Sequence, residues 1–299
     1  MKSWVVKNFN AVLVLSVFVG LFMPWLDLLP KVTAMILISV AIFFSCSHVT
    51  IDALKRINIR QAIGFYIFRF LLIPVPLYYM ALYTVPEYAL GVLLISLAPV
   101  GASSTTLSVL VKANSSFCLS STVITNALAP FIMALLLYVL EGGRAQIDVL
   151  PIFISLGLGI FVPVFFYFLV VRRFEPVKLW VRRESQFYAT VCIAAMVSVV
   201  IALEKSYIFT NLDAVLFMSV LGLVLFAVYY VAAWVFGRNM GWEDRKSYMV
   251  CSGVNNTGIC SGVAVLYFTA PTILFTIIAE IPWILSFMIF KWYVDRCDG

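Results

Sequence analysis

The sequence predicts an all-α polytopic membrane protein: ten transmembrane helices in two inverted five-helix repeats, with broken crossing helices 4 and 9. Three observations predict it. Hydrophobic residues make up 64% of the 299 and charged residues 11%, with a mean hydropathy of +1.07. Soluble domains have about 45–50% apolar and about 25% charged residues. Ten stretches also have roughly the 20 predominantly apolar residues that a crossing helix needs. Two of them carry short polar interruptions at corresponding places in the two halves.

The spans are read as 9–26, 32–50, 61–83, 88–111, 117–140, 149–171, 186–203, 211–237, 247–268 and 271–292. Lys2 and Lys7 precede the first, which lacks an A-x-A-type cleavage site and is read as a mature helix rather than a signal peptide. Sixteen Lys and Arg residues fall on the side of the N-terminus, among them Lys55, Arg56, Arg60 and the group Arg172, Arg173, Lys178, Arg182 and Arg183. Only Lys31, Arg144 and Lys205 fall on the other side. That bias predicts both termini in the cytoplasm, with the chain in the cell (inner) membrane. Five spans per half is an odd number, so the second half, 146–299, enters the membrane inverted relative to the first, 1–145. The most charged linker, near 172–185, is read as a loop and not as a boundary between folding domains.

Composition also excludes some functions. The net charge of +6 sits in short loops, as topology signals do, and is not a nucleic-acid footprint. The six cysteines form no C-x-x-C pair, so neither a disulfide framework nor a zinc site is expected. His48 is the only histidine, which excludes multi-histidine metal chemistry, and is placed near the cytoplasmic end of the second span. Glu204 and Asp213 read as loop or helix-end residues. Prenyl transfer would need clustered Asp motifs, and intramembrane proteolysis a Ser/His pair or paired Asp. The spans hold neither, so no enzyme is expected.

The first interruption is Ala98-Pro99-Val100-Gly101-Ala102-Ser103-Ser104-Thr105-Thr106 and the second is Gly253-Val254-Asn255-Asn256-Thr257-Gly258. Irregular backbone at membrane depth must face protein or a water-filled cavity. Carbonyls freed at such a break can coordinate a cation, and the N-terminus of the following half-helix can hold an anion. Paired breaks in corresponding positions point to the binding site of a secondary transporter.

Two charged residues lie inside spans. Arg69 is about nine residues into the third span, roughly 13 Å deep at 1.5 Å per residue, too deep for easy snorkelling. Glu280 is mid-span in the tenth. A buried carboxylate there neutralises or finds a partner. Its readings are an ion pair, with Arg69 as candidate partner, a proton carrier, or a substrate ligand.

These motifs, together with a Ser/Thr-rich fifth helix, resemble the bile acid/sodium symporter superfamily, of which the chain looks like a divergent bacterial-type member over essentially its whole length. The resemblance implies a core domain of helices 3–5 and 8–10 and a panel domain of helices 1, 2, 6 and 7. It implies broken helices crossing near the bilayer midplane, and transport of organic anions by rocking core against panel. In the family's ion sites, Ser104 and Thr105 match a Ser-Asn pair, Thr122 a Thr and Asn255 a Gln. Cys118 stands where a hydroxyl is usual, and Cys251 where the family has a Glu that helps hold both sodium ions. Asn256 matches an Asn of the substrate cavity, Arg69 stands for a Gln ligand and Glu280 for a cavity Asn. Ala102 and Ser103, at the start of the half-helix after the first break, join Asn256, Arg69 and Glu280 as the substrate-binding candidates.

The departures change the local charge by about +2. At 4–6 Å and an effective dielectric near 20, each charge shifts ion affinity by roughly 3–4 kcal/mol. The second sodium site is therefore expected to be lost, with Arg69 as a fixed cation in its place, and any coupling ion is Na+ or H+. The expected function is secondary active transport of a small organic anion, such as a carboxylate or sulfonate, with the lipid bilayer as surroundings. The alternatives are a metalloid exporter of the same superfamily, which Cys251 and Cys260 keep open, and a ligand-binding membrane sensor that no longer transports. Oligomeric state is not readable, because lipid-facing and partner-facing helix surfaces share a composition.

Overall fold

The computed structural model describes residues 2–48, 59–141 and 148–298. Lys55, Arg56 and Arg144 lie outside the described residues, as do the side chains of Lys7, His48 and Arg60. The regular elements described are helices. Six are long and apolar enough to cross a membrane: Gln61–Thr84, Ser115–Glu141, Val149–Arg173, Glu175–Leu203, Leu212–Asn239 and Ala270–Asp298. Four shorter apolar helices accompany them: Ala11–Phe22, Val32–Ser45, Pro86–Leu97 and Thr257–Tyr267.

In chain order the elements used below are α1 (Phe9–Phe22), α2 (Val32–Ser45), α3 (Ile59–Ile67), α4 (Pro74–Thr84), α5 (Ala89–Leu97), α6 (Ser104–Leu110) and α7 (Ser115–Glu141). They continue with α8 (Val149–Leu169), α9 (Glu175–Leu203), α10 (Leu212–Phe236), α11 (Trp242–Gly253), α12 (Thr257–Tyr267), α13 (Ala270–Ile278) and α14 (Glu280–Asp298).

The chain forms two compact units. The first contains residues 1–49, 134–212 and 258–277. There α9 packs along α1 and α2. Close approach needs small residues where no hydrophobic force separates helix from lipid. A Cβ on Gly20 of α1 would lie 2.5 Å from Ser198 O of α9, and Ser198 Oγ donates to Ser16 O at 2.8 Å. Beyond the ends of α1 and α9 Lys205 pairs with Asp27, and Lys2, ahead of α1, pairs with Glu184 in the third turn of α9 at 2.7 Å.

The second unit contains residues 50–133, 213–257 and 278–299. Aromatic rings hold its helices together: Phe117 stacks on Tyr248 at 5.2 Å between centroids, and Phe68 on Phe236 at 4.6 Å. Tyr248 donates its hydroxyl to Gln61 O at 2.6 Å, so its one polar atom is satisfied. Both helix breaks, and Arg69 and Glu280 with their partners, lie in this unit.

The breaks fall where the Gly- and Pro-containing segments lie. α5 stops at Leu97 and α6 begins at Ser104, so Thr105 and Thr106 are helical rather than part of the interruption. α11 stops at Gly253 and α12 begins at Thr257. Three features depart from expectation. The charged stretch near 172–185 is a loop only at its start, since α9 begins at Glu175. Pro176 needs no donor in the first turn, Glu175 complements the helix dipole, and hydropathy reports crossing length rather than helix length. The third span contains a π-helical turn, Phe68–Leu72, before Pro74. The tenth span is interrupted at Ala279, between α13 and α14, three residues before Pro282. Each proline removes a donor and crowds the preceding turn, which the widened or broken helix relieves.

Candidate functional site at the two helix breaks

The two interrupted segments pair with each other. Gly101 N donates to Val254 O and Asn256 N donates to Pro99 O, both at 2.8 Å, giving an antiparallel bridge between Val100 and Asn255. Backbone groups left over by one broken helix are thus satisfied by the other, as burial demands. The pairing requires Gly101, where a Cβ would stand 3.0 Å from Asn255 O and 3.2 Å from Asn255 C.

A single face of α7 secures the first break. Thr122, Thr125 and Asn126 follow the i, i+3, i+4 spacing that places residues side by side on a helix. Thr125 Oγ1 accepts Val100 N at 2.9 Å, and Asn126 Nδ2 donates to Val100 O at 2.9 Å and to Thr122 O at 2.7 Å. With its amide hydrogens given to two carbonyls, Asn126 presents Oδ1 to Asn256 Nδ2 at 3.1 Å. One amide therefore joins both breaks.

Arg69 is completely buried, on the π-helical turn. Its Nη1 donates to Ser96 O, and its Nη2 donates to Ala98 O at 2.6 Å and to Asn255 Oδ1 at 2.8 Å. Ser96 lies in the last turn of α5 and Ala98 just past it, where helix carbonyls lack the usual intrahelical donor, while Ile95 O also accepts Ala98 N at 3.2 Å. Asn255 Nδ2 donates to a third carbonyl there, Ile95 O, at 3.1 Å. This fixes the amide's orientation, because arginine only donates and a carbonyl only accepts. The guanidinium also lies 5.6 Å over the Tyr229 ring, whose hydroxyl bonds Ser96 Oγ at 2.7 Å. A buried cation costs several kcal/mol unless compensated. Three charge-assisted hydrogen bonds at about 1.5–3 kcal/mol each, plus a ring face, are of that order.

The remaining candidates occupy several settings. Ser104 Oγ and Thr122 Oγ1 bond at 2.9 Å, and Thr122 Oγ1 also reaches Gly101 O at 3.3 Å and Cys118 O at 2.9 Å. Thr105 Oγ1 is buried with no hydrogen-bond partner among the described residues. Cys118 and Cys251 are buried and in contact, and Cys251 also meets Ser121. Cys118 Sγ lies 4.0 Å from Ser247 O. Asn256 is half-buried, while Ala102 and Ser103 are exposed on the turn before α6. Glu280 is buried at the first position of α14. Its two oxygens accept from Thr257 Oγ1, at the first position of α12, and from Trp283 Nε1 at 2.7 Å. Glu280 thus takes neutral donors rather than the ion pair considered with Arg69.

The sequence reading did not single out Ser96, Thr125, Asn126, Tyr229 or Trp283. For Thr125 and Asn126 a signal existed: they extend the Ser/Thr-rich first half of α7 by one turn beyond Thr122.

The sequence model of the SBF-like CPA transporter family matches residues 7–276. The chain belongs to that family. Membership agrees with the likeness to bile acid/sodium symporters and, with the long apolar helices, makes the SBF-like protein an integral membrane protein of a transporter family. No curated protein matches the sequence. In this SBF-like chain the paired breaks, their clamp on α7 and the buried Arg69 form the candidate site.

Proposed function

We propose that the protein is a secondary active transporter of a small organic anion, working by alternating access. Its ten spans form two inverted repeats, 1–145 and 146–299. Helices 3–5 and 8–10 serve as core, and helices 1, 2, 6 and 7 as panel. Both termini lie in the cytoplasm, with the protein in the inner membrane. The observation that carries this reading is the crossing of two broken helices through backbone hydrogen bonds, with half-buried Asn256 beside it. Broken helices at matched positions mark substrate sites in secondary transporters.

Arg69 supports a second part of the proposal. It donates to the carbonyls and amide oxygen that a dehydrated cation would seek. It acts there as a tethered cation, so the second sodium ion is dispensable. Glu280, tied to the start of α12 through Thr257, is the group that exchanges a proton during the cycle.

The test is uptake of a panel of carboxylates and sulfonates into proteoliposomes under independently imposed sodium and proton gradients. Proton-driven accumulation that disappears in Glu280→Gln, while downhill exchange persists, supports the reading. Sodium-driven accumulation by the unaltered protein overturns the role given to Arg69. Absence of flux for a ligand that binds overturns transport itself.

A further inference from the structure

The basic α8–α9 hairpin, made of the turn Val171–Arg173 and the first turns of α9, lies in the first unit and takes no part in the site above. Residues 172–183 contain Arg172, Arg173, Lys178, Arg182 and Arg183. The neighbouring acids are already engaged. Glu175 pairs with Lys178 at 3.1 Å, and Glu184 with Lys2 at 2.7 Å and Arg183 at 3.0 Å. Arg172, Arg173 and Arg182 are exposed and make no ion pair among the described residues.

The short helical turn Val171–Arg173 folds the chain back on itself. Val181 consequently packs in one buried cluster with Tyr167 and Val171, which brings the neighbouring Arg182 back beside Arg172. The Arg172 guanidinium also lies 5.8 Å over the Phe168 ring, which holds it against α8. Beside these charges stand exposed apolar side chains: Phe174 at 59% exposure, Leu179 at 55% and Trp180 at 43%. α8 and α9 both belong to membrane-crossing candidates, and the basic residues gather at the turn that joins them, as charge does at the ends of apolar spans.

A ligand for this patch must satisfy guanidinium groups at one end and apolar surface at the other. Phosphate suits the first, because arginine binds it through two parallel hydrogen bonds. Acyl chains suit the second, and aromatic residues beside basic ones are typical of the interfacial zone. We propose that the α8–α9 hairpin binds the headgroup of an anionic phospholipid through Arg172 and Arg182, with Trp180 and Phe174 against its glycerol and upper acyl chains.

The experiment reconstitutes the full-length protein into bilayers of phosphatidylcholine and phosphatidylglycerol in which one or the other is brominated, and reads quenching of Trp180. The difference between the unaltered protein and Trp180→Phe isolates that residue from the other tryptophans. A lysine or arginine near a charged surface contributes about fivefold in binding. The expected result is a preference for phosphatidylglycerol of about fivefold or more at Trp180, falling to near onefold in Arg172→Gln/Arg182→Gln. Arg172→Lys/Arg182→Lys, which keeps the charge, retains part of the preference. Equal quenching by both lipids in the unaltered protein overturns the proposal, as does a preference that survives the double Gln change. Loss of the preference on adding millimolar inorganic phosphate would assign the patch to soluble phosphate and equally overturn it.

Discussion

Arg69 Nη2 donates to Asn255 Oδ1 across 2.8 Å, joining the π-helical turn ahead of α4 to the break between α11 and α12. Both groups are buried, and the same guanidinium reaches two carbonyls at the end of α5. The charge and the breaks are therefore one assembly. The breaks supply acceptors that a continuous helix would have used internally, and the arginine supplies the donors.

Replacing Arg69 by Gln should destabilise the protein by about 2–4 kcal/mol, since buried acceptors are orphaned at roughly 1–3 kcal/mol each. If the guanidinium stands in for a cation, exchanging NaCl for KCl leaves the melting temperature of the unaltered protein unchanged. The same exchange lowers it in Arg69→Gln, where sodium can enter. Thermal melts in detergent at constant ionic strength measure both effects.

Asn126 should respond asymmetrically to substitution. Asn126→Ala loses the donors to Val100 O and Thr122 O and the acceptor for Asn256, at a cost of about 2–3 kcal/mol. Asn126→Asp keeps the acceptor but sets a carboxylate against two carbonyls, and should cost more than Ala despite its closer shape. Comparing the two melting temperatures decides it. The reverse order would show that Asn126 only fills space.

Gly101 and Gly64 form a matched pair. A Cβ at Gly101 presses on the backbone of Asn255, whereas one at Gly64 meets nothing within 4 Å. Gly101→Ala should cost about 1–3 kcal/mol through displacement of the paired segments. Gly64→Ala, within α3, should be neutral or stabilising by up to about 1 kcal/mol from helix propensity.

Glu204, which follows α9, has its carboxyl held above the usual range by burial, with Lys31 acting in the opposite direction. A carboxylate whose folded pKa is raised contributes stability below its unfolded value, and that contribution is lost as pH rises through the folded value. Glu204→Gln should accordingly raise the melting temperature at pH 7 relative to the unaltered protein. The difference should shrink toward zero near pH 4. A gap constant with pH would remove ionisation as the cause.

Some of the site was legible in the residues themselves. Pro99, Gly101, Gly253 and Asn255 interrupt apolar runs, and interruption is a local property of backbone freedom and missing donors. Arg69 and Glu280 stood out because charge at that depth is costly. Their partners were not legible. Trp283 looks like any apolar residue of its helix until its indole N–H meets Glu280, and Tyr229 is unremarkable until its ring lies under a guanidinium.

The amino-acid sequence by itself determined the all-helical membrane class and the places where two helices break, because apolar length and the presence of glycine, proline and asparagine act within a few residues. Only the tertiary structure decided what the broken ends bind. The partners of Arg69 lie 27, 29 and 186 residues away, and those of Asn126 come from both breaks. Such pairings follow from which helices pack together, and a hydrogen bond is made only when packing brings donor and acceptor to within about 3 Å.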